Sequence, residues 1–433
     1  MSTRTFASRS GLGDDGLSLG LAPARTPGGI VAQPSFFRGF AVHPRAVAQG
    51  LVTLADITAT RYFRVAPTTL KDPVLTAHGD RLRAEVFSAD NSVYARLDVP
   101  ASALDGGEIS HGTTNVDIGE DMRRMLALVP QAELLHLDVG SAGLSAATPT
   151  AQAAERPVAM PDRWVRALGN AAELHRDLEH RFDAGAAHAR AFLAQLPPAT
   201  ATGRDGWLSA GRAGIRVSAR PGGVWIAGLN RLSALKRLLT LATGLSVYGS
   251  DGGAAVEVHL PGARLLVALT ESVTRGYSGE GALLESLASP TVLDDAAIVS
   301  AVLAYEPLID VGRLAKDAGL SSGATRDALA VLASSGRVGW DPRDGAYFHR
   351  ELPDAPERAE RDNPRLVRAR GIAAREGAIT RDGAAYLVDG GNGVHRVSAA
   401  REGRMCTCTW YLRYGSGRGP CAHMLAIDLL EKR

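Results

Sequence analysis

The 433-residue chain holds three cysteines, and all three lie between positions 406 and 421. Cys406-Thr-Cys408 is followed, after twelve residues, by Cys421-Ala-His423, a C-x-C-x12-C-x-H pattern. Three thiolates and one imidazole suit a tetrahedral zinc ion, and four protein ligands leave no open position for a substrate. The expectation is therefore one structural Zn2+ held by Cys406, Cys408, Cys421 and His423. In a strand, Cys406 and Cys408 face the same side, because side chains alternate with period two. Gly415-Ser-Gly-Arg-Gly419 offers a flexible return, and Pro420 suits the first position of a helix. Cys421 and His423 then fall in the first helical turn, where the positive helix end favours thiolate. A disulfide between Cys406 and Cys408 is poorly placed within one strand.

Other reactive patterns are weak. His175-Arg-Asp-Leu178 copies the start of a kinase catalytic loop, but no glycine-rich loop, strand lysine or D-F-G accompanies it. His175 and His180 are five apart, not the four that stacks two ligands on one helix face. G-x-x-x-x-G-K-[ST] does not occur. The polar run Thr113-Thr-Asn-Val-Asp117 beside His111 lacks a paired base and nucleophile, and reads as a turn. Gly415–Gly419 reads as a spacer between ligand pairs before it reads as a phosphate nest. No catalytic constellation emerges, so the chain is expected not to be an enzyme.

The elements that must position the cysteines follow from composition and periodicity. Hydrophobic residues make up 45% and charged residues 22%, as in a soluble globular protein, and the length suits several domains. Lys+Arg is 48 against 46 Asp+Glu, so no strongly basic surface binds nucleic acid along the whole chain. No apolar run is long enough to cross a membrane, and the N-terminus lacks a signal-peptide core. A cytoplasmic α+β, multidomain protein is expected. Residues 1–33, rich in Gly, Ser, Ala and Pro, read as a disordered tail. Residues 34–145 read as an α+β unit, with a helix at 44–58 and strands at Arg81–Phe87 and Ser92–Val99. Residues 146–289 read as a connection at 145–154, one long helix over about 162–195, and a second α+β unit.

Residues 290–352 then read helix, helix, turn, helix, hairpin, with Gly319-Leu-Ser321 as the turn and Asp344-Gly345 at the hairpin tip. That order resembles a winged helix-turn-helix. Six cations and nine anions give this stretch a net charge of −3. DNA affinity rests largely on phosphate neutralisation, so protein docking is at least as good a role. Residues 353–365, charged and proline-bearing, read as a linker. Residues 366–433 read as three strands and a closing helix, the zinc finger. Residues 353–433 carry fourteen cations and ten anions, net +4. If the chain touches nucleic acid, Arg404, Arg413 and Arg418, which lie among the ligands, are the expected phosphate contacts, ahead of Arg326 on the third helix.

The C-x-C-x12-C-x-H pattern, with strands before it and an apolar helix after it, resembles the SWIM zinc-finger family over roughly the last sixty residues. Pro34-Ser-Phe-Phe-Arg-Gly-Phe40, Asp72-Pro-Val-Leu-Thr76, Asn91–Asp98 and Gly112–Asp117 resemble the N-terminal half of a bacterial SWIM-containing family. Such proteins tend to be encoded beside MoxR-like AAA ATPases and von Willebrand A-domain proteins. The resemblance implies an accessory or adaptor protein that docks protein partners, of which those two classes are candidates. The alternative is a nucleic-acid-binding (DNA) regulator acting through the finger and its adjacent arginines.

Overall fold

The structure is a computed structural model. It describes residues 34–63, 73–279, 281–304, 306–400, 403–415 and 418–432, together with the backbone of four short strands between Gly11 and Val31. Apart from those strands, the expected disordered tail lies outside the described residues, as does Asp72. The α+β class is what the structure shows. Among the described residues no helix is long and apolar enough to cross a membrane.

One eight-stranded antiparallel sheet runs through both α+β units. Its spatial order is His111–Asn115, Val74–His78, Arg81–Phe87, Val93–Pro100, Ala263–Thr270, Gly253–Leu260, Gly244–Gly249 and Glu179–Gly185. The units join where Val93–Pro100 pairs with Ala263–Thr270, placing Asp98 opposite Arg264. A second, five-stranded sheet holds Ser35–Ala41 and His136–Gly140 near its centre. The helix Pro44–Ala59 packs on the larger sheet, and Gly50 lets it close in, since a Cβ there would lie 2.8 Å from a Leu97 methyl. Val47 and Leu51 of this helix, Leu97 and Val99 of the larger sheet, and Leu137 and Val139 of the smaller one meet around one internal space.

Three expectations need correction. The long helix at 162–195 is broken: Asp162–Arg176 and Ala186–Gln195 are helices, and Glu179–Gly185 between them is the outer strand of the large sheet. Leu178 and Phe182 continue a helical spacing, but pairing with Gly244–Gly249 supplies backbone partners that this weak pattern does not outweigh. The connection at 145–154 contributes strands Gly143–Ala147 and Gln152–Glu155. The 353–365 linker is ordered and packed. Arg358 is buried and pairs with Asp162 at 3.0 Å and Asp362 at 2.8 Å, and an unexpected helix, Pro364–Ala373, starts within it.

Helices Val292–Val302, Val311–Ala318 and Ser322–Ser334 precede the hairpin Val338–Asp341 with Ala346–His349. Local chemistry sets their ends. The Asp310 carboxylate accepts from the Gly312 and Arg313 amides, Ser321 Oγ accepts from Ala324, and Gly319 closes the second helix at φ +69°. The third helix is buried from Ala328 to Ser334 and lies against Asp162–Arg176. The contact is close at Gly169, where a Cβ would meet the Ala333 carbonyl at 2.7 Å.

The hairpin is bonded to the large sheet by buried charge. Strand alternation turns Leu82, Ala84 and Val86 to one face and Arg83 and Glu85 to the other; Arg96, Asp98 and Arg264 share that second face. Asp341 of the hairpin reaches this polar row, with Oδ2 at 2.8 Å from both Arg83 and Arg96 and 2.6 Å from Arg264. Asp98 completes the set, accepting from Arg83 Nε at 2.5 Å and Arg96 Nε at 2.9 Å. Arg350 returns the favour, donating from Nε and Nη2 to Glu85 at 2.6 and 2.7 Å. Phe348 lies under the Arg83 guanidinium, 3.8 Å from its ring centre. Burial alone would push the carboxyls of Asp98 and Asp341 up. The surrounding guanidiniums, Arg83 and Arg96 foremost, hold both below the usual carboxylate range.

Removing one member of such a buried set strands the others. Asp341→Ala is expected to cost about 3–5 kcal/mol in denaturant unfolding, because Arg83, Arg96 and Arg264 lose a shared counter-charge. Unchanged stability would contradict this. The depressed carboxyls contribute fully above their unfolded value of about 4, and the contribution is lost as pH falls through the folded value. Thermal scans of the parent should therefore show an acid-side loss below about pH 4 that is reduced in the variant.

Candidate metal centre

The four predicted ligands converge. Cys406, Cys408, Cys421 and His423 are all buried, and their ligand atoms lie within 4.8 Å of one another. His423 Nδ1 lies 3.7 Å from Cys406 Sγ and 3.9 Å from Cys421 Sγ. A zinc ion bonded at about 2.3 Å to sulfur and about 2.0 Å to nitrogen gives tetrahedral edges of about 3.5–3.8 Å, so the spacing fits a single ion. The cluster is positioned to hold one metal.

Each ligand is placed by a different device. Cys406 ends the strand Gly403–Cys406, opposite Val397. Cys408 is not in that strand, contrary to expectation. Thr407 keeps the pairing, its amide donating to the Arg396 carbonyl at 3.1 Å and its Oγ1 accepting from the Arg396 amide at 3.0 Å. Cys408 then caps the helix Thr409–Tyr414, where its Sγ accepts from the Tyr411 amide at 3.4 Å. Cys421, not Pro420, borders the last helix, Ala422–Glu431, and His423 sits in its first turn. Ser416 and Gly417 of the return lie outside the described residues. The return is fixed by a residue the sequence did not single out: Arg365 Nη1 donates to the carbonyls of Arg418 at 2.7 Å and Pro420 at 2.9 Å. No local motif marks Arg365; only the packing of Pro364–Ala373 along Ala422–Glu431 brings it there.

Protonation is uneven around the cluster. A hydrogen bond from Cys406 pushes the Cys421 thiol down to about 4, against burial, with help from His423 and from the Met424 and His423 amides. The Cys406 thiol is pushed up by that same hydrogen bond and by burial, and burial raises Cys408. Metal binding would displace the protons that Cys406 and Cys408 retain. The far nitrogen of His423, Nε2, is buried without a hydrogen-bond partner among the described residues. It lies over Gly390, where a Cβ would come within 2.6 Å, and the His395 ring stands 4.4 Å away.

The remaining candidates disperse. His175 is buried and bonded to Tyr277 at 3.1 Å, whereas His180 sits on the outer strand beside Asp183. Thr113 lies in a buried strand and accepts the Glu351 amide at 3.0 Å. Among the arginines near the ligands, Arg404 is committed to Asp428 and Glu431. Arg413 and Arg418 instead lie over the Tyr414 ring, at 5.3 and 4.8 Å from its centre.

No protein-family model and no curated protein matches the chain. Among solved structures it is similar to a chain of the PCNA2-PCNA3 complex from Sulfolobus tokodaii, with 10% identity and a TM-score of 0.39. That match covers 54% of this chain and 98% of the other. It is also similar to Proliferating Cellular Nuclear Antigen from Entamoeba histolytica, with 11% identity, a TM-score of 0.37, and coverage of 55% and 99%.

Purified protein should carry about one zinc per chain by elemental analysis, as a single four-donor set requires. Iron with sulfide, or no metal, would contradict it. Cys408→Ser should release the metal and raise hydrogen exchange across residues 366–432, because metal binding energy is folding energy in such units. The core built from Phe36 to Tyr277 should keep its protection, since it forms a separate apolar cluster.

Proposed function

We propose that the chain is a zinc-stabilised, non-enzymatic adaptor that docks protein partners. Three buried thiols and an imidazole from the protein complete a tetrahedral shell, so the bound zinc would organise the C-terminal unit rather than activate a water. The ion holds the strand end at Cys406 against the helix start at Cys421. Buried, reduced cysteines agree with a cytoplasmic protein.

One observation counts against DNA reading by the helices and hairpin of residues 292–349. A winged-helix module that reads DNA needs its third helix and its hairpin free. Here the third helix is buried over its second half, and the hairpin is locked into the sheet through Asp341 and Arg350. These helices and the hairpin serve as an internal brace. The family resemblance of the finger agrees with an accessory role, and the AAA ATPase and von Willebrand A-domain classes are the partners to test first.

A second reading, nucleic-acid binding through the finger, is supported by the arginine–aromatic stack beside the ligands. Arg365 lies over Trp410 at 4.4 Å, and Arg413 and Arg418 over Tyr414. Salt separates the two readings. Protein docking through apolar surface should persist from 50 to 500 mM salt on nuclease-treated material, whereas finger binding to duplex DNA should weaken steeply. Arg413→Ala with Arg418→Ala should lower a duplex salt slope by about 2 and leave protein docking intact. Duplex binding that survives this variant and fails in Arg326→Ala would instead return the role to the third helix.

A further inference from the structure

Residues 206–226 form a small three-stranded sheet, with Gly206–Gly211 between Gly214–Ser218 and Val224–Ile226. Its alternation sends Leu208, Val224 and Ile226 into the core. Trp207, Ser209, Arg216, Ser218 and Trp225 share the opposite face, by register. Trp207 and Trp225 are direct cross-strand partners, ring centres 5.4 Å apart and planes tilted by 52°. Both are partly buried, so this sheet leaves only part of two large aromatic rings on its outward face.

The charge around them is one-sided. Arg204, Arg212, Arg216 and Arg220 are all exposed, and among the described residues no carboxylate lies within ion-pair distance of any of them. The stretch 199–227 has one acid, Asp205, whose Oδ1 is occupied by the Gly228 amide at 2.6 Å. Some surface arginines elsewhere are neutralised, as Arg237 is by Asp56 and Arg404 by Asp428, while Arg156, Arg326 and Arg368, like these four, have no carboxylate at ion-pair distance among the described residues. Arg204 and Arg220 flank the tryptophan end of the sheet, and Arg212 lies at the far turn, about 17 Å along the strand. Arg216 stands between them, opposite Ser209.

We propose that this face binds single-stranded nucleic acid, its bases stacking on Trp207 and Trp225 and its phosphates meeting Arg204, Arg212, Arg216 and Arg220. Paired aromatic rings and an arginine track are the two elements of a sequence-tolerant single-strand platform. A duplex hides its base faces, and an acidic peptide would use the arginines and leave the tryptophans idle. The inference is independent of both the docking and the finger readings, since it uses none of their residues.

The full-length protein, titrated into fluorescein-labelled oligo(dT) at 50 and 200 mM salt, tests it. Expected are binding of oligo(dT) in preference to a duplex of equal length, and quenching of tryptophan emission. Trp207→Ala with Trp225→Ala should weaken binding by about ten-fold or more, while Trp207→Phe with Trp225→Phe should retain most of it. Arg212→Ala, Arg216→Ala and Arg220→Ala together should lower the log–log salt slope by about 2. Because these arginines hold no carboxylate, this variant should fold even if the alanine pair at the tryptophans does not. No binding to oligo(dT) would overturn the proposal, as would equal binding of duplex or polyglutamate. Loss of oligo(dT) binding in Arg413→Ala with Arg418→Ala, with the tryptophan and arginine variants unaffected, would overturn it in favour of the finger.

Discussion

The carboxylates of Asp341 and Asp98 share three guanidiniums inside this protein. Arg83, Arg96 and Arg264 come from three neighbouring strands of the large sheet, and none of them is more than slightly exposed. Taking these groups out of water is expensive, and only mutual pairing makes it tolerable. The Glu85–Arg350 pair extends the same arrangement. The polar face of the sheet therefore has no stable way to stand uncovered by this hairpin and still remain dry. That constraint fixes the hairpin and, through its short connection, the buried helix Ser322–Ser334.

The metal centre is downstream of that fixation. A second apolar cluster runs from Leu283 through Leu329 and Leu332 to Leu366, Leu425 and Leu429, and includes the three cysteines. The last helix packs along Pro364–Ala373, whose Arg365 clamps the carbonyls just before Cys421. Ordered charge on the sheet thus positions the helical module, the module supports one side of the finger core, and the finger core places the ligands. Metal would close the last step by drawing two thiols, one thiolate and one imidazole into a shared coordination shell.

The ligand set was legible in the sequence because its chemistry is local. Soft donors at C-x-C and C-x-H spacing have few other uses, and turns and helix starts within thirty residues bring them together. The three helices and the hairpin of 292–349 were legible for a similar reason, since Asp310, Gly319, Ser321 and Gly345 mark their ends. What escaped was non-local. Arg83 and Arg96 are ordinary polar positions of alternating strands, and nothing near Asp341 in sequence signals three cationic partners more than 70 residues away. Glu179–Gly185 read as helix because its partner strand lies some sixty residues on. Cys408 joins the cluster, but the sequence placed it in a strand, because a helix as short as Thr409–Tyr414 leaves little periodicity to read.

Everything downstream of the sheet depends on the hairpin being an integral part of it. Native-state hydrogen exchange measures it directly, since amides that open only together share one opening free energy. The amides of Val338–Asp341 and Ala346–His349 should exchange with the same opening free energy and denaturant dependence as those of Arg81–Phe87 and Val93–Pro100. Hairpin amides that exchange through a separate, lower-energy opening while those strands stay protected would contradict it, and would mean that the module detaches from the sheet in the native protein.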